Sequence, residues 1–330
     1  MRVIYRQMLA ALMMGFVLPW IILGIVLSCM EYEEHRENPT SGEDYEVQGT
    51  EPNPEPEIKL QVVNGDEIWD MDLEEYISGV VLAEMPAEFE PEALKAQAVV
   101  ARTYALRRME LGNKHDNGDV CTDPNCCQGY RSPEDYISRG GSEESVSKIQ
   151  EAAKATAGQV LTYDGNLIEA TYFSCSGGQT EDALAVWGAD IPYLQSTSSP
   201  GEEGAAHYSD TVTMTPEEFR DRMGEALSGD PTSWFGGVSH TDGGGVDTIR
   251  IGEKTYKGTE VRSLLSLRST DFTIRYTGKD IEIVTHGFGH RVGMSQYGAD
   301  AMAISGSTYE QILDHYYQGT VLEDFAAMGN

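Results

Sequence analysis

Basic residues are scarce in this 330-residue chain: 23 Lys and Arg stand against 54 Asp and Glu, a formal net charge of −31. A surface so poor in cations offers no footprint for a phosphate backbone, which argues against nucleic acid as a partner. There is no internal repeat and no regular alternation of strand and helix. That excludes a solenoid and a doubly wound parallel sheet, and points to an α+β fold with a mainly antiparallel sheet. No HExxH helix is present, so the usual glutamate base of a zinc hydrolase is missing.

What is present begins with an uncharged apolar run, Met8–Met30, of 23 residues. That length spans a hydrocarbon core as a helix. Arg2 and Arg6 precede it and Glu31, Glu33 and Glu34 follow, which predicts a cytoplasmic N-terminus and an extracytoplasmic remainder. A cleaved signal peptide has a shorter core. Val26-Leu27-Ser28-Cys29 also resembles a lipoprotein processing box, with Cys29 as the lipidated residue. The retained single-span anchor is the reading adopted. Glu31–Glu57 then holds ten acidic residues, four prolines and one arginine, too polar to fold and suited to an extended tether. The expected layout is a cytoplasmic stub and anchor (1–30), a tether (31–57), one domain (58–325) and a short tail (326–330).

Within the domain, Ile58–Ile68 alternates as a first strand and Leu73–Leu82 reads as a short helix. Pro91 at a first helical position, Arg107 and Arg108 in a last turn and Gly112 beyond them predict a helix to about Glu110. Further helices are expected over Glu144–Ala157, after the capping box Thr215–Glu218, and after Ser307–Glu310. Asp164-Gly165 should turn a hairpin between Gln159–Tyr163 and Leu167–Ser174. Gly236–Gly245 reads as a loop, with strand pairs at Val246–Lys257 and Asp271–Val284.

The stretch Gly79–Leu106, GVVLAEMPAEFEPEALKAQAVVARTYAL, carries the strongest chemical signal. Glu84 sits among Val80, Val81, Leu82, Ala83, Met85 and Pro86. Burial there disfavours the carboxylate and keeps a general acid protonated near neutral pH. Lys95 and Arg102, seven apart, share a face of the helix that follows. Arg102 lies between apolar neighbours, so it needs a partner, either Glu84 or a structural ion pair.

This stretch, together with SCSGGQT at Ser174–Thr180 and HGFGHRVGMSQYGADA at His286–Ala301, resembles the signature of the stage II sporulation protein D family. The same domain occurs in the amidase-enhancer proteins. The resemblance spans roughly residues 58–325 and implies a membrane-anchored lytic transglycosylase. Its substrate would be peptidoglycan glycan strands, preferably denuded of stem peptides, cut to 1,6-anhydro ends during septal wall remodelling and engulfment. It further implies Glu84 as the catalytic acid/base in a substrate groove. Lys95, Arg102, Ser174, Ser176, Gln179, His290, Ser295, Gln296 and Tyr297 become the substrate-binding residues. Stage II sporulation proteins P and M are the implied companions. A non-catalytic enhancer of a cell-wall amidase is the alternative, and a Cys175–His290 nucleophile is a lesser one.

His115, Cys121 and Cys127 are spaced six and six. They suit a structural zinc ion, with Cys126 or water as the fourth ligand. Zinc-binding relatives with a His-Cys-Cys pattern support that choice, and the mechanism itself requires no cofactor. A Cys121–Cys127 disulfide is the other reading for an exported domain.

Overall fold

Asp72 opens the first helix by accepting hydrogen bonds from the backbone N–H groups of Glu74 and Glu75, whose own charges suit a helix N-terminus. The computed structural model describes residues 58–112, 114–224 and 227–328, which belong to one unit, Pro56–Asn330. The expected anchor Met8–Met30, Cys29 and the acidic tether lie outside the described residues. Among the described residues no helix is long and apolar enough to cross a membrane.

The chain begins with a hairpin of β1 (Lys59–Asn64) and β2 (Glu67–Asp72). One strand was expected over Ile58–Ile68, but Gly65, at φ 60°, turns the backbone inside it. Then come α1 (Leu73–Glu84), α2 (Pro91–Leu111), β3 (Val120–Cys121), α3 (Pro133–Ser138) and α4 (Glu143–Ala155). They are followed by β4 (Gln159–Tyr163), β5 (Asn166–Leu167), β6 (Tyr172–Phe173) and α5 (Ala183–Trp187). A second stretch holds β7 (Ser209–Met214), α6 (Pro216–Met223), β8 (Phe235–His240), β9 (Val246–Ile251), β10 (Lys254–Lys257) and α7 (Gly258–Leu265). It closes with β11 (Asp271–Tyr276) and β12 (Ile281–His286). The chain ends through β13 (Met294–Ser295), α8 (Gln296–Ile304), α9 (Tyr309–Tyr316) and β14 (Val321–Asp324).

The fold is α+β, but the expected mainly antiparallel sheet is divided into small ones. The strand orders are β2-β1-β3, β14-β4-β5, β13-β6, β10-β9-β8 and β11-β12-β7. The pairings β1–β3 and β6–β13 are parallel. Strands of two to six residues, interrupted by helices, are too short to knit one continuous sheet. The Gly-rich stretch also departs from expectation, because its first half forms β8, paired to β9 across bulges.

Helix α2 is the axis of the larger core. Its residues from Ala93 to Leu106 are buried except Lys95, the pattern of a helix surrounded on all sides. Helices α1, α4, α8 and α9 and strand β4 pack against it, and Gly112 in the left-handed region ends it. A separate smaller core, built on Phe219, Trp234, Ile249, Val261 and Ile283, underlies the β7–β12 stretch.

Candidate active site

Helix α1 delivers Glu84 as its last residue, where the negative end of the helix dipole disfavours a carboxylate. The side chain lines a cavity of about 590 Å³ with Tyr172, Phe173, Ser174, His290 and Gln296. Burial pushes the Glu84 pKa up. Opposing it, the backbone N–H of Gly129 donates to Oε1 at 2.7 Å, and Tyr172 and Gln296 face the carboxyl group and favour its charged form. Among the described residues no cation pairs with Glu84. The N–H of Gly129 comes this close because a Cβ there would meet Oε1 at 2.9 Å. The result is a carboxyl group biased toward its protonated form at the wall of an open cleft.

A second carboxylate, Glu169, lines the same cavity. It is tied to Arg107 at 3.1 Å and to Arg108 in a closer contact. His290 is held between the rings of Phe173 and Trp187, with centroids 5.7 and 5.2 Å away. Its Nδ1 accepts from the N–H of Val292 at 3.1 Å, and the ring also hydrogen-bonds the backbone of Tyr172. Burial first, then the charge of Arg262, bring its pKa down to about 4. His290 is therefore neutral at physiological pH and fixes the strand that presents Tyr172 to Glu84.

The structure brings together only some of the residues named from sequence. Glu84, Ser174, His290 and Gln296 line the cavity. Arg102 does not: its guanidinium is fully buried in a two-pronged pair with Glu74, at 2.7 and 2.6 Å, and also reaches the carbonyl of Gln159. The structural ion pair is the partner its apolar setting demanded, not Glu84. Lys95 bonds Glu92 at 2.6 Å and lies over the ring of Tyr309, away from the cavity lining. Tyr297 packs edge-on against Phe89, with centroids 4.9 Å apart. Gln179 donates to Ser196 and accepts from Arg291.

Ser176 and Ser295 are buried because both donate to Glu202, a residue sequence reasoning missed. Glu202 also accepts from the N–H groups of Ser176 and Gly177, from Ser199 and from the thiol of Cys175 at 3.2 Å. Burial, then the neighbouring Glu202, push the Cys175 thiol up to about 12. A thiol so disfavoured as thiolate, and outside the cavity lining, is no nucleophile. Gly298 permits this packing, since a Cβ there would meet Ser199 and Tyr316 at 2.1 Å. Tyr104, Arg108, Lys114, Tyr172, Arg262 and Phe288 also line the cavity and were missed. Tyr104 and Phe288 lie inside the stretches Gly79–Leu106 and His286–Ala301 without having been singled out there, whereas no local pattern marks Arg108, Lys114, Tyr172 or Arg262, which the fold draws from separate segments.

One wall of the cavity includes Cys126 and Cys127. With His115 and Cys121 they form a group whose ligand atoms all lie within 4.8 Å of one another. His115 Nε2 is 3.2 Å from Cys127 Sγ and 3.9 Å from Cys126 Sγ. All three cysteines are free thiols. One imidazole and three thiols converging in this way match the donor set of a structural zinc site, Cys126 included.

Comparison with known proteins follows the same geography. A family profile described as Stage II sporulation protein matches residues 63–163, from β1 through Glu84, α2 and the cysteine cluster to the end of β4. Stage II sporulation protein D of Bacillus subtilis (strain 168) is 43% identical over 263 residues, covering 78% of this chain and 76% of its own length. The Bacillus amyloliquefaciens protein of the same name is 42% identical over 257 residues, 76% and 74% of the two chains. The chain belongs to the stage II sporulation protein D family. A protein named Amidase enhancer from Bacillus subtilis (strain 168) is 27% identical over 307 residues, 76% of this chain but 40% of its own length.

Proposed function

We propose that this protein is a lytic transglycosylase that cleaves peptidoglycan glycan strands in the septal wall during sporulation. The observation that carries this reading is a single uncommitted acid in the cleft. Among the described residues Glu84, whose pKa is raised, has no cationic partner, whereas Glu169 is engaged by two arginines. Hydrolases of glycosides need two working carboxyl groups; one suffices if the sugar supplies its own nucleophile. Protonated Glu84 donates its proton to the glycosidic oxygen as the C1–O bond breaks. The resulting carboxylate takes the proton of the 6-hydroxyl, whose oxygen bonds to C1 and closes a 1,6-anhydro ring. Glu84 ends protonated again, and no water is consumed.

The test is Glu84→Gln, which keeps shape and removes the transferable proton. With denuded glycan as substrate, mass spectrometry should find 1,6-anhydro ends reduced on the order of a hundredfold or more, the scale of a general acid. Wild-type turnover by the variant would refute the mechanism, and reducing ends in place of anhydro ends would make the enzyme a hydrolase. The relative named Amidase enhancer favours one second reading, a glycan-binding enhancer of an amidase. A wild type that cleaves nothing but accelerates an added amidase would establish it.

His115, Cys121, Cys126 and Cys127 would hold a zinc ion. Its role when bound is structural, cross-linking the loop that leads to Gly129 and so fixing the N–H donated to Glu84. Protein purified without added metal should contain about one zinc per chain and lose it on Cys121→Ser. Metal-free protein with Cys121 linked to Cys127 would replace zinc with a disulfide.

A further inference from the structure

Gln128 is a polar side chain, 1% exposed, set between a tyrosine of the core and a tyrosine of the cleft. Its Oε1 accepts from the hydroxyl of Tyr76, on α1, at 3.4 Å. Its Nε2 donates to the hydroxyl oxygen of Tyr172, on β6, at 3.4 Å. Tyr172 lines the cavity and faces the Glu84 carboxyl group, whereas Gln128 lies outside the cavity lining. Gln128 follows Cys127 and precedes Gly129, whose N–H donates to Glu84. One short segment therefore reaches the acid twice, directly through Gly129 and indirectly through Tyr172.

A buried amide is costly unless both of its ends are bonded, and a methionine would fill similar space without that cost. What the amide adds is direction. A hydroxyl can donate or accept. Tyr76 gives its proton to Oε1, and Nε2 gives a proton to the Tyr172 oxygen, so the proton of Tyr172 itself is left over. Glu84 is the acceptor it faces. Burial, before any other cause, holds both phenols well above the ordinary tyrosine range, so both remain O–H donors. The two links are long, and catalytic hydrogen bonds commonly tighten only as charge develops.

We infer that Gln128 is a positioning residue, which turns the Tyr172 hydroxyl proton toward Glu84 and so stabilises the carboxylate left when the acid has given its own proton away. The inference rests on the acid/base reading of Glu84 above and adds to it a residue that acts only through another. A protonated carboxyl group gains little from the hydroxyl, whereas the carboxylate gains a charge-assisted hydrogen bond. That difference offsets part of the proton affinity that burial confers, and eases the first proton transfer. The other charged groups of the cavity are engaged elsewhere: Glu169 with Arg107 and Arg108, and Lys114 with the Tyr104 hydroxyl. Arg262 acts on His290, which is neutral above about pH 4. Gln296 is the remaining side chain that faces the carboxyl group, and it carries no charge.

The experiment titrates Glu84 directly, by carbon NMR of the full-length chain labelled at the glutamate carboxyl carbon, with the signal assigned by its loss in Glu84→Gln. Gln128→Met should raise the Glu84 midpoint by about half a pH unit or more, the scale of one hydrogen bond to a charge. Tyr172→Phe should raise it at least as far, and adding Gln128→Met to Tyr172→Phe should move it no further. Tyr76→Phe leaves Gln128 in place but frees its amide to turn over. It should shift the midpoint the same way by less, and it decides the question if Gln128→Met does not fold. With denuded glycan, the alkaline limb of anhydro-end formation should move up in pH with the midpoint, while turnover below the limb falls on the order of threefold or more. A purely structural Gln128 would lower turnover and leave both limb and midpoint where they were. An unmoved or lowered midpoint overturns the inference, as does a Gln128→Met shift that persists in Tyr172→Phe. The titration needs no glycan, so the two readings fail separately. If the midpoints move as described but the wild type cleaves nothing, the transglycosylase reading fails and the role of Gln128 stands. If anhydro ends form and the midpoints do not move, the reverse holds.

Discussion

Glu84 and Glu202 are both carboxyl groups withdrawn from bulk water, and the number of donors around each separates their fates. Glu202 is 1% exposed and accepts from six groups, the N–H and hydroxyl of Ser176, the N–H of Gly177, the hydroxyls of Ser199 and Ser295, and the thiol of Cys175. Its lone pairs are fully engaged, so it joins three distant segments and has nothing left for a substrate. Glu84 receives one close N–H bond, from Gly129, has only the side chains of Tyr172 and Gln296 besides, and faces open cavity. The stretches singled out in the sequence serve both groups: SCSGGQT and the Ser295 region build the anchor, and the anchor holds α8, whose first residue Gln296 faces the acid. A motif residue can therefore be indispensable without touching substrate.

The largest effect that would break this comparison is on stability. Glu202→Gln sets an amide NH₂ against donors that had shared a carboxylate, leaving buried N–H and O–H groups without an acceptor. Urea denaturation should show a loss of about 3 kcal/mol, the scale of one or two buried unsatisfied groups. Glu84→Gln should show no such loss, because Glu84 anchors little. A Glu202→Gln protein as stable as wild type would mean that the six contacts do not hold the motif segments together.

The two carboxylates were not equally legible in the sequence. Glu84 announces itself through its apolar flanks, and α2 through Pro91 and Gly112, because these are local signals. Glu202 lies in a polar loop among Gly201, Glu203 and Gly204, and its donors come from residues 174–177, 199 and 295, so only the fold reveals it. Arg262 is hidden for the same reason, on a short helix whose start has no strong cap signal in KGTEVRSLL. Arg102 illustrates the converse. Its need for a partner was readable, but whether Glu74 or Glu84 supplied it depended on how α1 packs on α2. The last capping box slipped by one residue, Thr308 with Gln311 replacing Ser307 with Glu310, since adjacent Ser and Thr are near-equal caps.

The smallest effect sharpens the comparison through pH. A raised folded-state pKa means that native Glu84 binds more protons than the unfolded chain from the ordinary carboxyl range, near 4.5, up to its raised value. Stability from this group therefore falls as pH rises through that window, and Glu84→Gln removes the fall. The variant's thermal midpoint should match wild type below the window and exceed it slightly at neutral pH. His290 works in the opposite sense. Its pKa is lowered from 6.5 to about 4, so the native state binds fewer protons between those values and stability rises with pH there. The activity profile follows the acid alone: turnover should decline on the alkaline side as Glu84 loses its proton, at a pH above the ordinary carboxyl range. Thermal midpoints of wild type, Glu84→Gln and His290→Gln measured from pH 4 to 8 separate the two contributions. If Glu84→Gln and wild type stay parallel across that range, Glu84 is solvated like any surface carboxylate, and the distinction between acid and anchor drawn from its scarcity of donors does not hold.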